Sequence, residues 1–217
     1  VFEGNPEQEK YSQNSQLLFV QLKVVAIFVG KILKIMKFDD ITGDGRLWAV
    51  RYDDENDNVL YKLFDMWSDV AWLRDFFKKN INDLSSFFKI TDVNQAIYDT
   101  IEDNYDLQCL IMDISPDADL DKIFRPLDNN RTAEVLLGKE KARLKKQTKH
   151  PSWLRIYALK LSAGIYIVTG GAIKLTATMQ EREHTLAELH KMEHVRQFLL
   201  NENIVDDAGF IDYLSET

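Results

Sequence analysis

The chain of 217 residues has one cysteine, Cys109, so it cannot form an internal disulfide. A reducing cytoplasm is the simplest setting for such a chain. Cys109 sits among Leu107, Leu110 and Ile111, which suits a buried structural thiol better than a nucleophile. No Cys/His cluster has zinc-ligand spacing, and no Walker, Rossmann or HExxH pattern is present. His190 and His194 are one helical turn apart without a third ligand, so they read as exposed helix polars and no metal or cofactor is expected. There is no internal repeat and no low-complexity tract. Long apolar runs are missing too. The longest clean one, Val24–Gly30, is far short of the ~20 residues that span a bilayer. The acidic, polar front lacks the small-residue cleavage site of a secretory signal.

The hydrophobic content of 45% is enough for a core, and the length fits one domain with an enlargement. The net charge of −8 is unevenly spread. Residues 37–130 carry 10 basic and 21 acidic residues, whereas residues 131–196 carry 13 and 6. Overall acidity argues against a general nucleic-acid coat protein. The basic segment is what a phosphodiester ligand would require locally.

Residues 1–35 read as an upstream extension, unstructured or amphipathic, with Met36-Lys37-Phe38 resembling a natural start. A membrane-surface helix is the rival reading, because Lys23, Lys31 and Lys34 share one helical side. Residues 36–217 then form a single α+β domain with an enlarged helical region at about 59–124. Leu47–Tyr52 is a strand candidate, followed by an acidic turn that lacks the EF-hand glycine and terminal glutamate. Apolar residues at three- and four-residue steps predict one helix over Val59–Asn80 and another from Thr91 to about Ile114. Leu120–Phe124 reads as a short helix, Arg125–Asn130 as a turn, and Thr132–Gly138 as a strand. Lys139–His150 holds six Lys/Arg and one Glu and reads as a solvated loop. Its functional alternative is a phosphate-contacting arm using Lys139, Lys141, Arg143, Lys145, Lys146 and Lys149.

The most informative stretch is Trp153–Gln180. Leu154–Leu161 alternates as a strand, Ser162-Ala163-Gly164 suits a tight reversal, and Ile165–Thr169 follows as a second strand. Gly170-Gly171 marks a bulge or a close backbone approach, and Ala172–Leu175 continues the strand. The hairpin brings Arg155 near Lys174, and two cations on one face make an anion site. Thr176 is a further polar candidate. Trp153 and Tyr157 read as core or sheet-face residues. Thr185 and Glu188 have capping-box spacing, so Arg182 and His184 fall in the loop feeding the C-terminal helix. Phe210, Ile211 and Leu214 share a helical face that can dock on the body.

The segments LRIYAL, GIYIVTGGAIKLT and AELHKMEHVRQFL, with the upstream turn FRPLDNN, resemble the RelE/HigB superfamily of toxin ribonucleases, in particular its phage-derived HigB-like branch. The likeness covers roughly Leu120–Leu200. It implies a small antiparallel sheet packed by N-terminal helices and a C-terminal helix. It also implies a metal-independent cut of mRNA, commonly on the ribosome, and a partner antitoxin, often of helix-turn-helix type. On this resemblance Arg155 and Lys174 hold the phosphate, Arg182 assists, and His184 is the acid/base candidate because its ordinary pKa lies near neutrality. The branch often carries two adjacent lysines where this chain has Lys174-Leu175. That departure keeps open an alternative, a non-catalytic module of the same scaffold that binds protein or RNA.

Overall fold

Residues 36–52, 55–128, 136–144, 150–162 and 164–216 are described by a computed structural model. The readings of residues 1–35, of Thr132–Val135 and of Lys145, Lys146 and Lys149 lie outside them. Two units divide the chain: the first holds residues 1–36 and 52–54, almost all undescribed, and the second holds Lys37–Arg51 and Glu55–Thr217. All that follows concerns the second.

Its fold class is α+β. Six strands, β1 (Met36–Asp40), β2 (Leu47–Tyr52), β3 (Phe124–Pro126), β4 (Gly138–Ala142), β5 (Leu154–Ser162) and β6 (Ile165–Ile173), form one sheet in the order β1-β2-β6-β5-β4-β3. The sheet is mixed. β3, β4, β5 and β6 pair antiparallel in series, but β2 runs parallel to β6, with Leu47 opposite Tyr166 and Ala49 opposite Val168. Chain between β2 and β6 supplies the helices α1 (Val59–Ser68), α2 (Val70–Lys79), α3 (Ile81–Asp83, running into a π turn at Leu84–Phe88), α4 (Val93–Met112) and α5 (Leu120–Ile123). After β6 come α6 (Glu183–Asn201) and α7 (Asp207–Glu216).

The single helix expected over Val59–Asn80 is two. Asp69 adopts an extended ψ of 103°, and its carboxylate accepts from the Ala71 and Trp72 amides, ending α1 and capping α2. Leu60, Leu63 and Trp67 of α1, Leu73 and Phe77 of α2 and Leu107 and Ile111 of α4 are buried in one cluster. With them lie Leu47, Ala49, Leu154, Ile156, Ala158, Tyr166 and Val168 from one face of the sheet. The acidic helical enlargement therefore builds the main core. Cys109, expected to be buried, is only partly so on α4, where the Tyr105 hydroxyl meets it. Phe210 of α7 is buried edge-on against Phe38 and Trp48, which docks the C-terminal helix over β1 and β2.

The register between β5 and β6 shifts at Tyr157/Ala158, where Gly170 faces Tyr157 and Val168 faces Ala158, leaving Thr169 as the bulged residue. The hairpin is closed from outside by Asp121, which accepts from the Tyr166 hydroxyl (2.6 Å), Lys160 Nζ (3.1 Å) and the Gly164 amide (3.3 Å). Burial alone would push this carboxyl up. The three donors outweigh that and hold it below its ordinary 3.8. A depressed folded-state pKa contributes stability that is present above the unfolded value and is lost as pH falls through the folded one. Asp121→Ala also strands the buried Tyr166 hydroxyl, so it is expected to cost about 1–2 kcal/mol at pH 7 in urea unfolding. The gap from the parent protein should narrow below pH ~4. A gap that stays constant with pH would refute this account of the hairpin.

Candidate functional site

Leu136 and Leu137, the described residues before Gly138 in the stretch whose apolar pattern suggests a strand, lie in a turn that leads into β4. That strand occupies Gly138–Ala142, inside the stretch that reads as a loop. Pairing with β3 on one side and β5 on the other supplies what its polar sequence lacks. Its alternation then decides the site. Glu140 and Ala142 are buried, while Lys139, Lys141 and, just beyond, Arg143 fall on the other side. Arg125 of β3 is directly opposite Lys141, and Lys141 is opposite Tyr157 of β5. Like charges facing across an antiparallel pair are unfavourable, by roughly 0.2–1 kcal/mol.

These residues share the face of β5 that carries Arg155, away from the main core. On this side α6 packs over β6 and part of β5, through Met192, Met179, Ala172 and Tyr157 with Leu189 and Leu127 at the margin. It leaves β3, β4 and the near half of β5 open. The result is a cleft of about 830 Å³ lined by Arg125, Lys139, Lys141, Arg143, Arg155, Lys174 and Arg196, with Asp128 the one acidic residue in its walls among the described residues. Leu127, Leu137, Met179 and Leu189 line its apolar side, and Thr178 and Gln180 its rim.

The cations are held in different ways. Arg155 Nη1 donates to the Ser152 and Leu154 carbonyls, both at 2.6 Å, which leaves the rest of its fork to the cleft. Burial, then Arg143 and Arg125, lower its pKa to about 10. Lys174 donates to the Thr176 (2.5 Å) and Ala177 (2.6 Å) carbonyls, and Lys141 to that of Leu127 (2.9 Å). Both ammonium groups are pushed down, first by burial and then by Arg155 among other cations. Lys139 and Arg196 share Glu193, at 2.6 and 3.4 Å. Among the described residues, no carboxylate comes within 4 Å of Arg125, Arg143, Arg155 or Lys174. At the floor, Tyr157 is 1% exposed and its hydroxyl has no hydrogen-bond partner among the described residues. Burial raises its pKa, so the phenol stays protonated.

Of the candidates from sequence, Arg155, Lys174, Lys139, Lys141 and Arg143 line this cleft together. Arg182, His184 and Thr176 do not. Both Arg182 Nε and Nη2 donate to Asp83, 99 residues away. His184 Nε2 lies 3.0 Å from the Ile173 carbonyl, and its ring meets Phe76 edge-on. Thr176 is buried with its hydroxyl on the Thr178 carbonyl, and it borders a separate hollow beside His150 and Phe88. The expected capping box is also absent. Thr185 Oγ1 donates to the Met179 and Arg182 carbonyls, and Glu188 turns inward to accept from the Gly171 amide at 3.1 Å. Arg125, Tyr157 and Arg196 went unread as cleft residues. The Lys-x-Lys-x-Arg period of two in KEKAR is the signal that places one cationic row on a strand face.

No protein-family model matches the chain, and no curated protein or solved structure matches it either. No helix among the described residues is long and apolar enough to cross a membrane.

Proposed function

We propose that this chain is an RNA-cleaving toxin of the RelE/HigB kind and that the basic cleft is its RNA site. The observation that carries the reading is the set of seven Lys/Arg side chains that, among the described residues, line one cleft on the open half of the sheet. The segments that resemble the family supply Arg155, Tyr157 and Lys174, and those residues meet there. A RelE-like sheet-and-helix arrangement belongs to the same proposal, as do a cytoplasmic setting, mRNA on the ribosome as substrate and a helix-turn-helix antitoxin covering the cleft.

The chemistry needs no metal. The 2′-oxygen of one nucleotide bonds to the adjacent phosphorus, the P–O5′ bond breaks, and a 2′,3′-cyclic phosphate and a free 5′-hydroxyl result. Arg155 and Arg125 stabilise the charge that builds on the phosphoryl oxygens. The 2′-hydroxyl proton passes to water, and Lys141 adds its charge to the phosphate side of the site. Water supplies the proton that the departing 5′-oxygen takes up, since the Tyr157 hydroxyl is closed off beneath the cleft floor. Arg182 and His184 have structural duties in this scheme.

A second reading, binding without cleavage, is favoured by one observation: no histidine lines the cleft. Induced expression in bacteria and digestion of a short RNA in EDTA separate the two. Growth arrest and cyclic-phosphate ends are expected from the parent chain. Arg155→Ala should cut more slowly by about 10²-fold or more, beyond its loss of RNA affinity. RNA bound but left intact by the parent chain would hand the cleft to the binding reading.

A further inference from the structure

The cleft has a second wall that phosphate binding does not explain. Leu127, whose backbone bonds Lys139 and Lys141 of the cationic row, and Leu189 of α6 are half-buried and pack against the cluster that holds Met179 and Tyr157. Phosphate contacts call for cations and do not by themselves explain the apolar residues of this cleft. A site that is concave, largely apolar and furnished with a few polar groups is the usual build of a pocket for a flat organic moiety. One such polar group is present: the exposed Gln180 amide at the rim, which makes no hydrogen bond among the described residues.

We propose that Leu127, Met179 and Leu189 form a nucleobase subsite, which takes one base out of its stack while the cations hold the phosphates on either side. The ligand is then single-stranded RNA. In a duplex the bases are stacked inward and only the backbone is presented, so the apolar wall would stay unfilled. Base contacts of this kind are commonly worth 10-fold or more in affinity and tolerate sequence variation, because every base has an apolar face. Gln180 supplies whatever edge discrimination exists, since its amide both donates and accepts.

The inference rests on the RNA reading of the same cleft, and the test separates the two. The full chain is titrated, by fluorescence anisotropy, with a labelled eight-nucleotide RNA, with the same backbone carrying abasic sites, and with the RNA annealed to its complement. The intact single strand is expected to bind about 10-fold tighter than either control, with the same salt slope as the abasic strand. Leu189→Gln should remove that advantage and leave abasic binding unchanged, which also certifies that the variant is folded. Equal affinity for intact and abasic strands would overturn the base subsite and leave the cleft a phosphate site. No salt-sensitive binding of any of the three would overturn the RNA reading itself.

Discussion

Reversing Arg125 and Arg143 together, as Arg125→Glu/Arg143→Glu, is expected to weaken single-stranded RNA binding by about two to three orders of magnitude near 0.1 M salt. The size follows from counting charges. Among the described residues, seven Lys/Arg side chains line the cleft, and two of them, Lys139 and Arg196, share the single charge of Glu193. Arg125, Arg143, Arg155 and Lys174 have no carboxylate within 4 Å among the described residues, and these four alone should give log K against log salt a slope of about −2.8 in the parent chain. Each lost contact removes about 0.7 from the slope, and each reversal adds a repulsion of similar size. The double variant should therefore show a slope shallower by about 1.4 from the lost contacts and by up to about 2.8 with the repulsions. The fold should survive, because a carboxylate at position 125 faces Lys141 across the β3–β4 ladder and replaces a like-charge pair with an opposite one. That exchange is worth roughly 0.2–1 kcal/mol in favour of the variant. Protein that melts no lower than the parent but no longer binds RNA would place the phosphates in this cleft. A loss under 10-fold with an unchanged salt slope would send the ligand elsewhere on the molecule.

That trade of stability for charge explains why part of the site was legible in sequence and part was not. Arg155 belongs to a strand whose alternation is strong and Lys174 follows its hairpin partner, so their nearness at one sheet end can be read from the sequence, while their shared face depends on the register shift at Thr169. The row on β4 is different. GKEKA has no apolar run and is a strand only because β3 and β5 flank it, a tertiary cause that a local window does not contain. Arg182 and His184 lie in sequence where a helix begins beside the hairpin, and that proximity suggests a role in catalysis. Their partners come from the distant helical enlargement: Asp83 after α2 and Phe76 within it. No local pattern announces either contact. The helices were readable from their period, except for the break at Asp69, where a capping side chain overrode a continuous apolar stripe. The parallel pairing of β2 with β6 spans more than a hundred residues and leaves no trace in either strand's composition.

Gly171→Ala is expected to be among the most damaging single substitutions in the chain, at about 3 kcal/mol or a fall of roughly 6–12 °C in thermal midpoint. The reason is space. A Cβ at Gly171 would stand 2.6 Å from the Arg155 carbonyl oxygen, 2.8 Å from Leu63 Cδ1 and 3.1 Å from Trp67 Cη2. The first of these is backbone, so relief requires β5 and β6 to move apart or α1 to lift off the sheet. Either movement disturbs the carbonyl row beside Arg155 and opens the main core where Trp67 is fully buried. Gly164 provides the contrast. It sits at φ +76° with nothing within 4 Å of an added Cβ, so Gly164→Ala meets only the backbone cost of a left-handed residue, about 1–2 kcal/mol. The two alanines thus separate close packing from conformational strain within one hairpin. Equal, mild losses in urea unfolding would mean that the helix–sheet approach at Gly171 is looser than described. A loss at Gly171 well beyond that at Gly164 would tie the placement of Arg155, and with it the shape of the cleft, to a single missing side chain on the opposite strand.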